Sequence, residues 1–213
     1  LIKIDLTNRC NSSCEMCPHT TGEIPAIDFP YKYLELILSA TSEIPHVVLT
    51  GWGEPLLHPE FLRFVDRLHT DWPSSKVRFT PNCILLTSEL SPTIAEKGVA
   101  GVTVSVDLWP EMDETDPFYR RYCHPASKQV VENIRALGKV RRAKGRPSVR
   151  LQSLALPAIV DHTQAIIDLA AEEQLDEVNL VRLLPDSSHQ DVRPLWKEEQ
   201  LLLRQLLRRG RQK

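Results

Sequence analysis

No stretch of this chain stays apolar for the ~20 residues that a membrane-crossing helix needs, and no basic-then-apolar leader opens it. Its longest apolar runs are only a few residues. An excess of charge of one sign is also missing. Lys and Arg number 26 against 28 Asp and Glu, a net charge of −2, so no global field asks for nucleic acid or for a basic partner. Eight glycines in 213 residues exclude a collagen-like chain, and 42% hydrophobic with 25% charged residues excludes disorder. What remains is a globular chain of one domain, long enough to bury about 70% of its unfolded surface. The default address is the cytoplasm. Because Leu1 is not an initiator Met and runs straight into an alternating segment, residues 1–213 are expected to be one domain excised from a longer protein.

Cysteine is scarce and odd in number, five in all, which is a poor basis for a disulfide framework. Three of the five stand together. Cys10, Cys14 and Cys17, separated by three and then two residues, are spaced to converge on one metal centre. Buried free cysteines that only pack usually scatter singly through apolar segments, as Cys83 and Cys123 do. A zinc site needs a fourth ligand, and the nearest candidate is His19. An iron–sulfur cluster on three cysteines would instead leave one iron open to a substrate or cofactor.

Along the chain, strand-like and helix-like patterns alternate about six times. Strands are expected over 1–6, 47–49, 76–80, 101–107, 148–156 and 177–184. Helices are expected over 31–44, 59–68, 88–97, 127–144, 163–173 and 195–209. Such alternation implies parallel β/α units with right-handed crossovers, whose functional groups gather at the C-terminal strand ends, around a barrel mouth or along an open crevice. The unusual residues fall at those ends. The cysteine loop follows strand 1, Gly51-Trp52-Gly53-Glu54-Pro55 follows strand 2, Pro81-Asn82-Cys83 follows strand 3, and Asp107 ends strand 4. Blander roles remain open for several of them. Glu54 also fits a helix N-terminal acid, Asp107 a turn cap, and Trp52, Trp109 and Tyr119 rim packing. His58 reads as structural, and the leucines of 195–209 read as a docking face with arginines in solvent.

Cys-x3-Cys-x2-Cys after a first strand, Met16 before the third cysteine, the Gly53-Glu54-Pro55 turn after the second strand and Ser105-Val106-Asp107 on the fourth together resemble the radical S-adenosylmethionine (radical SAM) superfamily. The resemblance runs from Ile2 to about Pro185, and Met16, Cys17-Pro18, the run from Gly51 to Pro59 and the Asn133-Ile134-Arg135 stretch together are most similar to the branch with C-terminal SPASM or twitch extensions. It implies an α/β fold, a partial (β/α)6 TIM-like barrel with parallel strands. It also implies a 4Fe-4S cluster on Cys10, Cys14 and Cys17 whose fourth iron is chelated by S-adenosyl-L-methionine.

By the same resemblance, Met16 meets the adenine, Gly51, Gly53, Glu54 and Pro55 cradle the methionine amino group, and Asn82 joins the cofactor contacts. Ser105 and Asp107 reach the ribose and carboxylate, Arg121 or its neighbour Arg120 pairs with the carboxylate, and Leu183 packs on the adenine. The implied activity is oxygen-sensitive reductive cleavage to a 5′-deoxyadenosyl radical that takes hydrogen from a peptide, protein or small metabolite, fed by a reductant such as flavodoxin or ferredoxin. No catalytic acid or base is required. The alternative is a non-enzymatic module holding zinc or an electron-transfer cluster. Trp52 replaces the first glycine of the usual Gly-Gly-Glu-Pro, Cys83 the glycine of a frequent Thr-Asn-Gly, and Leu108 the glycine after the strand-4 Asp. Because the turn and the cysteines leave different strands, replacing Gly53-Glu54 is expected to weaken SAM binding while sparing the cluster. A continuation beyond Lys213 is expected to close the open barrel and supply substrate contacts.

Overall fold

The structure, a computed structural model, describes residues 1–14, 17, 25–106, 127–155, 162–181 and 200–201. Six strands, β1 (Ile2–Asp5), β2 (His46–Thr50), β3 (Lys76–Phe79), β4 (Gly101–Ser105), β5 (Ser148–Leu154) and β6 (Glu177–Val181), form one sheet in the order of the chain. Every neighbouring pair is parallel. Between them run α1 (Tyr31–Ala40), α2 (Phe61–Asp71), α3 (Leu90–Glu96), α4 (Ser127–Lys144) and α5 (Thr163–Glu172).

Strictly sequential order decides between barrel and crevice. A doubly wound crevice needs the strand order to reverse, whereas right-handed crossovers that always step the same way put every helix on one face. The other face is then the inside of a partial barrel, with β1 and β6 as the edges of the described sheet. Side-chain burial follows this division. Val47, Leu49, Val77, Phe79, Val102, Val104, Val149 and Leu151 are buried in one core with Phe64 and Leu68 of α2, Ile94 of α3, Ile134 and Leu137 of α4 and Ile166 of α5. Each such side chain contributes about 1.5–3 kcal/mol. Parallel strands covered on both faces read as continuous apolar runs; these alternate because helices cover only one of their faces.

The element boundaries differ from expectation where local chemistry intervenes. The first helix stops at Ala40 because Thr41 turns extended and donates its hydroxyl back to the Ile37 carbonyl at 2.7 Å. Pro45 ahead disfavours helical backbone at Ile44. The second runs on to Asp71, whose carboxylate pairs with Arg67 one turn back, and Trp72 N–H closes it on Leu68 C=O at 2.8 Å. The ladders of β4 and β5 extend one residue past the strands proper, through Val106 N–H to Gln152 C=O and Ala155 N–H to Val181 C=O, both 2.8 Å. Of the segment 195–209 only Gln200 and Leu201 are described, and both are helical. Among the described residues no helix is long and apolar enough to cross a membrane.

Candidate functional site

β1 delivers the buried Leu6 and Thr7 into the loop that carries the cysteines. Backbone pairing closes this loop at its base. Phe29 N–H donates to Leu6 C=O at 2.7 Å, Asn8 N–H to Ile27 C=O at 3.1 Å, and Thr7 bridges antiparallel to Asp28. The Asn8 side chain adds two bonds, donating to Pro25 C=O at 2.8 Å and accepting from Ile27 N–H at 2.7 Å. Arg9, next to the first cysteine, forks the Asp28 carboxylate at 3.0 and 2.8 Å and reaches Leu57 C=O at 2.9 Å. With 40% and 34% of their side chains exposed, this pair is worth at most about 1 kcal/mol. Its larger effect is positional, since it ties the cysteine loop to the turn after β2. Desolvation alone would raise the Asp28 pKa, but the Thr7 hydroxyl and the Arg9 guanidinium offset it and hold the carboxyl below the usual range.

His58 completes the tie and is structural, as its sequence setting suggested. It is buried, its Nδ1 accepts from Glu60 N–H at 3.1 Å, and its Nε2 then carries the proton given to Phe29 C=O at 3.2 Å.

The turn after β2 is built on close approach. Gly51 has φ +148°, where a side chain is strained, and a Cβ there would stand 3.2 Å from the Asp5 Cα. At Gly53 a Cβ would lie 2.3 Å from Arg9 O and 2.6 Å from Thr7 O, so only glycine lets this turn rest on the cysteine loop. Glu54 N–H then donates to Arg9 C=O at 2.8 Å. Pro55 is buried and opens a short 3-10 turn through Leu57. Trp52, at the tip, is 56% exposed, and its carbonyl accepts from the Cys17 thiol at 3.6 Å.

Glu54 is only 1% exposed and acts as a brace. One carboxylate oxygen accepts from Leu56 N–H at 3.0 Å, capping the 3-10 turn, and the other from Asn82 N–H at 2.7 Å on the loop after β3. Burial pushes its pKa from 4.5 up to about 7, although both backbone bonds pull it down. The folded chain therefore holds a proton that the unfolded chain releases near pH 4.5. The stabilisation from that proton is complete below this pH and is lost as pH rises through about 7. Urea unfolding of the metal-free chain should show stability falling by about 3 kcal/mol between pH 5 and 8 from this group. Glu54→Gln should remove that slope at lower overall stability, and an unchanged slope would contradict the assignment.

Asn82 is the hub of the third loop. Its Nδ2 donates to Asn11 Oδ1 at 2.8 Å and points to the Cys10 sulfur at 3.8 Å, while its Oδ1 accepts from Ile84 N–H at 3.1 Å. Cys83 stands in the left-handed region at φ +67°, a conformation that glycine adopts without strain. Here the thiol fills the core with no exposed surface, and burial drives its pKa upward. The buried Asn133 of α4 donates to the carbonyls of Cys83 and Ile84, at 2.8 and 3.1 Å, and locks the loop. Ser105, half-buried at the end of β4, donates its N–H to Pro81 C=O at 3.0 Å. The loops after β1, β2 and β3 and the end of β4 are thus bonded to one another on one rim.

Cys10, Cys14 and Cys17 are not in disulfides, and each is half-buried on that rim. Burial pushes Cys10 up to about 11; the Ser12 backbone N–H lowers it, and the nearby Glu54, Cys14 and Cys17 raise it further. Ser12 Oγ lies 3.5 Å from the Cys14 sulfur, and Cys17 N–H donates to Cys14 C=O at 2.9 Å. Among the described residues no three His, Cys, Asp or Glu side chains stand preassembled around a metal position. The donor set itself fits an iron–sulfur cluster: three soft thiols on one loop, an amide N–H aimed at one sulfur, and no fourth protein ligand among them. Met16, Asp107, Arg121 and Leu183, with His19, Arg120 and Cys123, lie outside the described residues. Sequence reasoning misses Arg9, Asp28 and the role of Asn133; an arginine directly before the first cysteine was the available signal for Arg9.

Comparison with known proteins gives three findings. The family model of the Radical SAM superfamily matches residues 4–170. The tungsten-containing aldehyde ferredoxin oxidoreductase cofactor-modifying protein of Pyrococcus furiosus is 29% identical over 154 residues, 70% of this chain and 42% of that protein. The GTP 3′,8-cyclase of Streptomyces coelicolor is 27% identical over 207 residues, 93% of this chain and 56% of that protein. The chain thus spans about half the length of the curated relatives it matches. Among solved structures, methylornithine synthase superposes with a TM-score of 0.68 at 13% identity, covering 98% of this chain and 62% of that one. Streptococcus suis SuiB bound to precursor peptide SuiA gives 0.69 at 13% identity, covering 97% of this chain and 44% of that one. At these identities the likeness shows the fold.

Proposed function

Because the chain belongs to the radical SAM superfamily, whose members use a 4Fe-4S cluster and S-adenosylmethionine, we propose that it is the catalytic core that cleaves SAM reductively. Cys10, Cys14 and Cys17 are the proposed cluster ligands, with one iron left for SAM. The observation that carries this reading is the bonded rim, where Gly53 rests on Arg9, Glu54 joins the turn to Asn82, and Asn82 faces Cys10. When bound, the cluster and SAM supply a one-electron cleavage of the sulfonium and abstraction of a substrate hydrogen atom.

The chain's own residues bind and position. Gly51 and Gly53 keep the turn free of side chains, so its backbone groups can approach the methionine part of SAM. Asn82 places an N–H near the Cys10 sulfur, where it favours the thiolate over the thiol. Ser105, with Asp107, Arg121, Met16 and Leu183, is assigned to the remaining SAM contacts. No side chain is given an acid or base role, since hydrogen-atom transfer needs none.

Residues 1–213 are proposed as the core of a longer cytoplasmic protein of the SPASM or twitch type, reduced by a flavodoxin or ferredoxin and acting on a peptide, protein or small metabolite. SuiB, seen with a precursor peptide, supports the peptide option, and the GTP cyclases support a small metabolite. The test is formation of 5′-deoxyadenosine when anaerobically prepared, dithionite-reduced protein meets SAM. Its appearance supports the reading, and its absence from protein with a full iron and sulfide complement opposes it.

A further inference from the structure

The inner face of the sheet carries charge in a pattern that the rim does not use. Strand register places Lys3, Val48, Arg78, Gly101 and Ser148 in one row across β1 to β5. Their neighbours along each strand point into the helix-covered core, so this row faces the barrel interior. The row holds two cations and no anion. One step further along the strands, Thr103, Arg150 and Glu177 lie side by side.

At Gly101 a Cβ would lie 2.6 Å from Ser148 Oγ, and the Arg78 stem passes beside this glycine at ordinary contact, its Cγ 3.5 Å from that Cβ position. Arg78, Thr103, Ser148 and Arg150 then line a cavity of about 250 Å³ together with Asp176 and Glu177. Both carboxylates are already engaged: Asp176 by Arg141 at 2.6 Å and by Val149 N–H at 2.7 Å, and Glu177 by Arg150 at 2.6 Å. Arg78 is left over. Its Nε is buried without a hydrogen-bond partner, and among the described residues no carboxylate pairs with its guanidinium. A buried guanidinium donor lacking a partner is costly, and the groups that satisfy it best are planar or tetrahedral oxyanions.

We propose that this cavity is an anion subsite in which Arg78, beside the Thr103 hydroxyl, takes a carboxylate or phosphate group of the substrate; the Ser148 hydroxyl is already given to Ala100 C=O at 3.0 Å. The proposal rests on the reading above only in taking the barrel interior as the place where substrate sits. It adds a selection rule, because a substrate without an oxyanion would leave Arg78 unpaired and be disfavoured.

The test is calorimetric titration of anaerobically prepared, cluster-loaded protein with inorganic pyrophosphate and, separately, with succinate, which tells a phosphate from a carboxylate preference. At least one should bind, with affinity at least tenfold weaker in Arg78→Met and intermediate in Arg78→Lys. Arg63→Met, on the exposed outer surface of α2, should bind as the wild type does. No binding of either anion by the wild type, or equal affinity in Arg78→Met, overturns the subsite. If Arg78→Met does not fold, Arg78→Lys decides, and wild-type affinity in that variant overturns the proposal too. Anion binding in a protein that does not cleave SAM defeats the proposed function alone; SAM cleavage without anion binding defeats the subsite alone.

Discussion

Replacing Cys10, Cys14 or Cys17 by alanine should abolish the iron–sulfur absorbance of anaerobically prepared protein, whereas Cys83→Ala should keep it. The three thiols share one loop, none is in a disulfide, and Cys14 and Cys17 both raise the proton affinity of Cys10. Removing one leaves two ligands for a centre that already has one iron without a protein ligand, and two do not retain it. Cys83 is different in kind. It is fully buried beneath the rim, packs in the hydrophobic core and offers its carbonyl, not its sulfur, to Asn133. Losing its thiol costs a small cavity, on the order of 1 kcal/mol, and no iron. Iron and sulfide analysis with the visible spectrum checks this. If Cys83 proves as necessary as Cys14, the site is a closed four-cysteine centre and the open iron is wrong.

Gly53→Val should be nearly as damaging, and its damage should reach the cluster. The first atom of any side chain would sit 2.3 Å from the Arg9 carbonyl oxygen, about an ångström inside ordinary contact, and backbone rather than a flexible side chain would have to move. That movement breaks the 2.8 Å bond from Glu54 N–H to Arg9 C=O and shifts the residue next to Cys10. The expectation is at least a tenfold loss of SAM affinity together with lower iron content. Trp52→Ala, one residue away and exposed, should retain its iron. Wild-type iron and SAM affinity in Gly53→Val would contradict the packing. This corrects the expectation that turn and cysteines act independently because they leave different strands: their loops meet, and the strand ends are bonded across the rim.

The strands were legible because one covered face writes a period of two into each of them, as in Val102, Val104 and Val106; their order was not, since the same alternation fits a barrel or a crevice. The cysteine loop and the glycine turn were legible because thiols at that spacing, and glycines in a Gly-Glu-Pro turn, are rare without a reason. Long-range partners were not. Nothing local tells that Glu54 spends both carboxylate oxygens on backbone, that Asn133 on α4 holds the Cys83 loop, or that Arg9 bridges Asp28 and Leu57. Helix ends also escaped, because Thr41 stops α1 through a hydroxyl bond that competes with the helix. The departure at Cys83 became intelligible only with its backbone angle, which keeps the conformation of a glycine while the side chain repays the strain by filling the core.

The central claim is that three cysteines leave an iron for SAM, and the most direct measurement is SAM cleavage by the reduced wild-type protein beside Cys14→Ala. Both are prepared anaerobically, reduced with dithionite and given SAM, and 5′-deoxyadenosine is quantified against iron content. The account predicts at least one equivalent of 5′-deoxyadenosine per cluster from the wild type and none from Cys14→Ala. A colourless wild-type protein carrying a single zinc, or an iron-loaded one that forms no 5′-deoxyadenosine, would contradict it.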